Sequence, residues 1–423
     1  MRRGRCRGKG VRTPTRVPPR TPDFTRGKQR QGFVKKFNFL ALLGILLTTL
    51  ILRPPVASIG PLVVELREKL GLDSLQIGAL TSIPVFCFGL GAFASPAIVR
   101  RFGIDKTLLV LQGLIALAIV GRLWFGFGGL LIGTTVIGLS IAVANVILPS
   151  IVRARFPDRV GVVTATYSMT LAVGASFAAS TAVPFSSALG GWQISLVVWV
   201  IPAIAAFFVW STQTRGAAHE SIPAEHHQIE ASSVRKSPIT WWIVAFFGIQ
   251  SLGFYALLAW LPSLLIEHDK LTPAAAGGIL GVTTIAGVPF GLLLASNLRR
   301  FKSLSLPAAL SSSLTLIGMS LLLTPWPLLA GILIGLGQAS TFPLSLNMIS
   351  TRATTVAQTT ELSTLSQGYG YLAAAIGTFL FGWLRDASGS WTIPVLLLIL
   401  LSAVQLVAGF VAGRNKKIEN PVT

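Results

Sequence analysis

The chain has 423 residues, of which 52% are hydrophobic and only 12% are charged. A soluble domain carries about 25% charged residues, and a globular protein of this length has no interior large enough to bury so much apolar surface. The composition therefore excludes a soluble protein and predicts an integral membrane protein. A helix that crosses a bilayer needs roughly 20 apolar residues, so the chain has room for about twelve such helices.

Positive charge is concentrated at the amino terminus. The formal net charge is +21, and residues 1–37 hold 13 of the 35 basic residues, one acid and four prolines. This composition predicts a disordered cytoplasmic tail. A basic tail can bind nucleic acid or anionic lipid; we expect membrane lipid as the partner and no nucleic acid. A further hypothesis is that translation starts near Val34, which an intact mass would test.

The apolar runs, taken in chain order, predict an all-α membrane protein with twelve transmembrane helices. We number the predicted helices 1 to 12 and place them at 38–64, 75–99, 106–125, 129–152, 161–188, 192–211, 239–266, 273–297, 304–324, 326–350, 362–384 and 391–413. The predicted domains are the tail 1–37, an amino-terminal six-helix bundle 38–211, a cytoplasmic linker 212–238, a carboxy-terminal six-helix bundle 239–413 and a cytoplasmic tail 414–423.

The basic residues predict the orientation. With the amino terminus inside, 29 of the 35 Lys and Arg fall in cytoplasmic segments. This asymmetry follows the positive-inside rule, and an even number of helices places both termini in the cytoplasm. We therefore expect a multi-pass protein of the inner (cytoplasmic) membrane, and a monomer. Cys6 and Cys87 lie in the tail and inside a predicted helix, so no disulfide is expected.

Two short matches indicate an internal repeat. Arg101-Phe102 after helix 2 matches Arg300-Phe301 after helix 8, and Gly190-Gly191-Trp192 at the start of helix 6 matches Gly389-Ser390-Trp391 at the start of helix 12, both at an offset of 199 residues. Two parallel six-helix bundles joined by a polar linker are the layout of the major facilitator fold, in which the halves move about a central site.

Arg53 is the ionisable residue that lies well inside a predicted helix. A central arginine is unfavourable by roughly 2.5–3.5 kcal/mol on insertion scales, and Pro54 and Pro55 follow it directly. Prolines free backbone carbonyls one turn earlier, and a broken helix at membrane depth is tolerated where it lines a cavity. The pattern predicts a site for an anion or a strongly polar group. The alternative is that Arg53 lies nearer the outer interface and snorkels.

Acidic residues and histidines give a different signal. No Asp or Glu lies deep in a predicted helix; Glu361, for example, falls near a helix end, and all four histidines lie in loops. Proton-coupled transporters often carry a buried carboxylate or histidine, so proton coupling is not indicated. We expect no metal, no cofactor and no enzyme activity. His219, His226 and His227 in the linker are interpreted as solvated surface.

Amides and aromatics supply the other polar groups inside the predicted helices. Such groups can hydrogen-bond a solute or bridge helices, and both interpretations stay open for each residue. The candidate solute-binding residues besides Arg53 are Asn145, Gln250, Tyr255, Trp260, Gln338, Asn347 and Gln367.

Several ordered segments resemble the cyanate and 2-nitroimidazole transporter family (CynX/NimT) of the major facilitator superfamily. The segments that carry the resemblance begin with Leu52-Arg53-Pro54, Ser58-Ile59-Gly60-Pro61-Leu62, Ile83-Pro84-Val85-Phe86-Cys87-Phe88-Gly89 and Ala144-Asn145-Val146-Ile147-Leu148-Pro149, and continue with Gln250-Ser251, Phe254-Tyr255, Trp260-Leu261-Pro262, Gly337-Gln338, Phe342-Pro343-Leu344 and Gln367-Gly368-Tyr369-Gly370-Tyr371-Leu372. One position departs from the family, which usually has Asn where this chain has Ile51.

The resemblance implies a small-solute permease that works by alternating access. Its substrate would be a cyanate-like anion or a small heterocycle, and Trp260 would close the outer side. The short loop after helix 2 is similar to the superfamily's basic loop motif, which implies a gating function for Arg101 and Asp105. The alternatives are a non-transporting membrane receptor on a transporter fold and a drug or metabolite exporter.

Overall fold

The computed structural model describes residues 1, 4, 39–214, 231–297 and 300–419. Met1–Asn38 forms a unit separate from Phe39–Thr423. Nearly all of the predicted tail 1–37 therefore lies outside the described residues, as do 215–230 of the predicted linker with its three histidines. The described residues form helices and turns, and no strand is found among them.

Helices account for almost all of the described chain. In chain order they are α1 (Phe39–Ile51), α2 (Pro54–Ala57), α3 (Val63–Leu70), α4 (Ser74–Phe102), α5 (Ile104–Gly121), α6 (Gly126–Arg155), α7 (Val160–Leu189), α8 (Trp192–Val197), α9 (Val200–Thr214), α10 (Pro238–Glu267), α11 (Pro273–Asn297), α12 (Ser305–Leu321), α13 (Pro327–Arg352), α14 (Val356–Ser388) and α15 (Thr392–Ala412). The segment α1–α3 corresponds to predicted helix 1 and α8–α9 to predicted helix 6, and each remaining helix corresponds to one predicted helix.

Nine helices in the described residues are long and apolar enough to cross a membrane, and α12 and the middle of α11 form two shorter apolar helices. Large apolar side chains such as Leu117, Ile132 and Phe379 are 72%, 68% and 76% exposed. Continuous apolar exposure of this kind destabilises a soluble protein, whereas lipid solvates it without penalty. The helices therefore present their outward faces to a bilayer.

The first membrane segment is interrupted where the sequence predicts a break. α1 ends at Ile51 and α2 begins at Pro54. α7 packs closely against this break, because a Cβ on Gly174 would lie 3.0 Å from the carbonyl oxygen of Leu50. In a regular helix the carbonyl of Leu50 would accept from the N–H of residue 54. Pro54 has no N–H, so that carbonyl loses its helical donor.

A second interruption was not predicted. Helix 6, expected to be continuous over 192–211, is divided between Val197 and Val200. Pro202 explains the division, because it has no N–H for the carbonyl of Val198. That carbonyl instead accepts from the N–H of Ile201 at 3.2 Å, in a tighter turn.

α14 begins earlier than expected, at Val356 rather than 362. The Thr355 side chain caps it by accepting from the N–H of Gln358 at 3.1 Å, as a threonine N-cap does. Its first turns are polar, so they escaped a search for apolar runs. Glu361, expected near a helix end, lies within α14, is 3% exposed and pairs with Arg235 at 2.6 Å.

One end of the helices carries most of the basic residues, and we call it the basic end. There Arg155 at the end of α6 pairs with Asp105 at the start of α5 at 2.6 Å, and it donates to Gln213 of α9 at 2.5 Å. In the other half, Arg352 at the end of α13 donates to the carbonyl of Gly413 at 2.8 Å. The opposite end, which we call the far end, holds Glu267.

Close backbone contact joins α11 to α13. A Cβ on Gly335 would overlap the carbonyl oxygen of Thr283, and the neighbouring α11 residue Gly287 faces Gly335 equally closely. Since lipid gives no hydrophobic drive for helix association, such small residues let van der Waals packing hold the pair together.

We expect Gly335→Ala to destabilise the protein, because the added methyl group forces α11 and α13 apart. Overpacking of this kind costs about 1–3 kcal/mol, and a lower midpoint of thermal unfolding in detergent would show it. Gly281→Ala on α11 is the matched control, because a Cβ there meets no atom of the described residues within 4 Å. Equal midpoints for the two variants would contradict the packing argument.

Candidate functional site at Arg53

Arg53 lies in the break between α1 and α2, where its own carbonyl accepts from the N–H groups of Val56 and Ala57 at 3.1 and 2.9 Å. Its side chain is only partly exposed. Nη1 donates to the hydroxyl of Tyr255 at 3.3 Å, and Nη2 donates to the hydroxyl of Tyr371 at 3.4 Å. These tyrosines belong to α10 and α14, so the guanidinium reaches from the first half of the chain to the second.

Aromatic rings surround the guanidinium on the remaining sides. The Arg53 Cζ lies 5.8 Å from the centroid of Phe88 and 5.4 Å from that of Phe342. Tyr371 touches Phe88, with ring centroids 5.3 Å apart. We call Phe88, Tyr255, Phe342 and Tyr371 the aromatic cage. Cation–π contact stabilises an arginine in such a place by about 0.5–2 kcal/mol, although it does not neutralise the charge.

The charge of Arg53 has no counter-ion within the described part of the chain, where no carboxylate lies within 4.0 Å of it. A guanidinium has five N–H donors, and the two tyrosines take only two of them. The cage therefore combines a net positive charge with spare donors in a low-dielectric setting. Such a combination suits an anion or a strongly polar planar group.

Asn145 and Gln367 lie next to the cage. Gln367 is one helical turn before Tyr371 on α14, and its Nε2 donates to the carbonyl of Asn145 at 3.0 Å and to Ser363 at 2.7 Å. Asn145 is 7% exposed, and its Nδ2 has no acceptor among the described residues. A buried amide donor without a partner is rare and costly, so it marks a place that a solute or water can satisfy.

Gln250 and Gln338 bond to each other instead of to Arg53. Nε2 of Gln250 donates to the Oε1 of Gln338 at 3.2 Å, and Ser251 donates to Gln250 at 3.3 Å. This pair joins α10 to α13 within the second half, which is what a helix-bridging amide does.

Trp260 and Asn347 lie apart from the cage. The Trp260 Nε1 donates to the carbonyl of Thr378 at 3.0 Å, so it ties α10 to α14 toward the far end. Asn347 donates to the carbonyl of Gly161 at 3.0 Å, which joins α13 to α7 toward the basic end.

Arg101 and Asp105 do not pair with each other. The Arg101 side chain is exposed and stacks over the ring of Phe102, with its Cζ 5.3 Å from the centroid. Asp105 pairs with Arg155, a residue that the sequence did not single out, and that arginine lies over Trp210 at 4.7 Å. The loop motif thus acts within one cluster that ties α5, α6 and α9 together.

Hydrogen bonds join the two halves at successive positions between the cage and the basic end. Gln367 contacts Asn145, and nearer the basic end Ser150 of α6 contacts Thr360 of α14 at 2.8 Å. Eleven residues separate Tyr371 from Thr360, which corresponds to about 16 Å along a helix. The halves are therefore in contact from Arg53 down to the basic end.

The sequence also missed part of the cage. Tyr371 and Phe88 were noted only within longer segments, although Tyr371 lies one turn from Gln367 on the same helix face. Arg122 lies near the end of predicted helix 3 (106–125), and its side chain is 0% exposed. An arginine at the end of an apolar run, followed by glycines on the next helix, is a sequence pattern that could have predicted the burial of Arg122.

Comparison with known proteins identifies the family of the chain. The family model described as Major Facilitator Superfamily matches residues 45–362. The 2-nitroimidazole transporter of Escherichia coli is 32% identical over 90% of this chain and 98% of its own length. The cyanate transport protein CynX of Escherichia coli is 27% identical over 86% and 96%. The solved structure of the proton:xylose symporter XylE superposes with a TM-score of 0.68 at 14% identity, over 88% of this chain and 94% of that one.

We expect Tyr371→Phe to lower the free energy of unfolding, because the ring stays while Nη2 of Arg53 loses its acceptor. An unpaired donor of this kind costs about 1–3 kcal/mol, and the midpoint of thermal unfolding in detergent reports it. Tyr369→Phe is the control on the same helix, since Tyr369 is 47% exposed. If the two variants unfold alike, the Tyr371 hydroxyl does not hold Arg53.

Proposed function

The chain belongs to the major facilitator superfamily, and we propose that it moves a small anionic or polar solute across the cytoplasmic membrane by alternating access. As a member of this family it is a multi-pass membrane transporter and not an enzyme. The solute class and the site are what the proposal adds.

The architecture that we propose has twelve spans in two parallel six-helix bundles, 38–211 and 239–413, with both termini in the cytoplasm. The basic end supports this orientation, because clustered arginines favour the cytoplasmic side. The breaks in the first and sixth segments fit a bundle whose interior lines a cavity, since irregular backbone at membrane depth is tolerated only there.

The observation that carries the proposal is the uncompensated charge of Arg53 inside the aromatic cage. An arginine inside a membrane segment without a carboxylate is unfavourable, so an anionic solute that pairs with Arg53 gains both the Coulomb energy and the spare N–H donors. The cage walls are flat rings, with centroid distances of 5.4 and 5.8 Å to Arg53. They fit a small planar solute, such as a cyanate-like anion or a nitro-substituted heterocycle.

The neighbouring amides complete the proposed site. Asn145 offers an unpaired buried donor, and Gln367 holds the backbone of Asn145 in place. Both lie on the basic side of the cage, so they are positioned to receive a solute after Arg53. Gln250, Gln338, Trp260 and Asn347 then act by holding the helices that carry the cage.

Alternating access requires the contacts below the cage to open. In this structure Ser150–Thr360 and Asn347–Gly161 hold the basic end closed, which supports entry of solute from the far end. The Asp105–Arg155 cluster ties α5, α6 and α9 into one body, so Asp105 serves gating by keeping the first half rigid, and exposed Arg101 adds to the basic surface. The names of two relatives, for cyanate and 2-nitroimidazole, support the solute class.

The test is uptake of labelled cyanate into liposomes that contain the purified protein, with nitrite, benzoate and 2-nitroimidazole as competitors. We expect saturable uptake, and we expect Arg53→Gln to lose about 10- to 100-fold of it, because hydrogen bonds to a charged group contribute about 1.5–3 kcal/mol. Arg53→Lys keeps the charge without the planar fork and should recover only part of the flux.

Arg414→Gln provides the matched control, because Arg414 is exposed and stacks over Phe410 at the basic end. It should transport like the unmodified protein. Normal uptake by folded Arg53→Gln would sink the anion-site proposal, and flux that never saturates with any of the four compounds would count against a carrier for this class of solute.

A further inference from the structure

Arg122 is a second arginine enclosed by the protein. It follows the last residue of α5, its side chain is 0% exposed, and it makes two long-range hydrogen bonds. Nη1 donates to the carbonyl of Pro55 at 2.7 Å, and Nη2 donates to the carbonyl of Leu196 at 3.3 Å. One guanidinium therefore connects the first broken segment of the chain with the sixth.

The carbonyl of Pro55 is free because of the break. In a regular helix it would accept from the N–H of Ile59, but that N–H donates to Val56 at 3.2 Å instead. The carbonyl of Pro54, by contrast, accepts from both the N–H and the hydroxyl of Ser58 at 3.0 and 2.8 Å. Arg122 thus supplies the donor that the local turn does not, two residues after Arg53.

The second carbonyl lies next to the other interruption. Leu196 precedes the last residue of α8, and the chain turns before α9 begins at Val200. A planar guanidinium can bond two acceptors at once with fixed geometry, whereas an ammonium is a point charge without that fork. The two interruptions are therefore held at a set distance from each other by one side chain.

The fold makes room for Arg122 at a specific point. A Cβ on Gly133 of α6 would overlap the Arg122 Cβ. In the described residues no carboxylate lies within 4.0 Å of Arg122. Burying an arginine without a counter-ion has a large desolvation penalty. An apolar side chain would fill the same space without that penalty, which indicates a specific role for Arg122.

We propose that Arg122 is a positioning residue of the transport site: by bonding the Pro55 carbonyl it fixes the α1–α2 break and holds the Arg53 guanidinium in the aromatic cage. This inference rests on the proposed function of Arg53. It assigns to Arg122 no contact with the solute: Nη1 and Nη2 bond backbone carbonyls, and the Nε has no acceptor among the described residues.

The first test compares Arg122→Gln and Arg122→Lys with the unmodified protein in the liposome assay with labelled cyanate. Misplacement of a binding group by about 1 Å can cost 10- to 100-fold; we therefore expect KM to rise by about tenfold or more while the maximal rate per folded protein changes little. Lysine should not rescue, since it cannot bond both carbonyls. In an Arg53→Gln background the Arg122 substitution should add no further rise in KM.

A second test displaces Arg122 without removing it. Gly133→Ala pushes the Arg122 side chain away from α6 and should raise KM in the same direction as Arg122→Gln. Gly128→Ala on the same helix is the control, because a Cβ there meets no atom within 4 Å. Gly133→Ala retains the Arg122 side chain and its charge. The proposal can therefore still be tested if the Arg122 variants do not fold.

A third readout needs no solute. Amide hydrogen exchange, followed by mass spectrometry, should accelerate at 56–59 in Arg122→Gln and stay unchanged in Gly128→Ala. The inference is overturned if folded Arg122→Gln keeps the KM of the unmodified protein and the same exchange at 56–59 while Arg53→Gln has lost uptake. If Arg53→Gln transports normally but exchange at 56–59 accelerates in Arg122→Gln, the proposed solute site at Arg53 is wrong. The structural effect of Arg122 on the α1–α2 break would then still hold.

Discussion

Backbone polar groups that lie in lipid must find their partners within the protein, and the proline pair after Arg53 makes this requirement acute. Pro54 and Pro55 remove two N–H donors from the middle of a membrane segment. Three features accommodate the break: a tight turn at Ser58, the close approach of α7 at Gly174, and a hydrogen bond donated by the residue that follows α5. The cage, the placement of Arg53 and the packing of the first half all follow from how this break is satisfied.

Two arginines inside the protein have different hydrogen-bond partners in this structure. Arg122 donates to two backbone carbonyls of the scaffold, and its Nε has no hydrogen-bond partner among the described residues. Arg53 has only hydroxyls and ring faces around it, which leaves its charge available. Under the proposed function, this difference suits Arg122 to positioning the backbone and Arg53 to binding the solute.

Much of the fold was predictable from the sequence, because apolar runs and basic clusters are strong signals in a membrane protein. The break at Arg53 was predictable for a local reason, the proline pair. The interruption before Val200 was missed because Pro202 disrupts the helix at residues that precede it in the chain. The start of α14 was missed because its first turns are polar.

The candidate site was predictable only in part. Arg53 contacts Tyr255, and Gln367 contacts Asn145, whereas Gln250 and Gln338 bond to each other. Which amide faces a neighbour and which faces a solute depends on helix rotation and on contacts between the halves. A single sequence carries no record of those contacts, so each amide was open to both interpretations.

The polarity of α14 has a consequence for how the protein enters the membrane. Its 33 residues are not among the nine helices of the described chain that are long and apolar enough to cross a membrane, because polar residues continue from Gln358 and Glu361 in its first turns to Gln367 in its middle. Its close partner is α10, where Gly370 meets Phe247 and Gly248. We therefore expect α14 to partition poorly by itself during synthesis and to insert by docking onto helices made earlier, so that assembly of the second half is ordered in time.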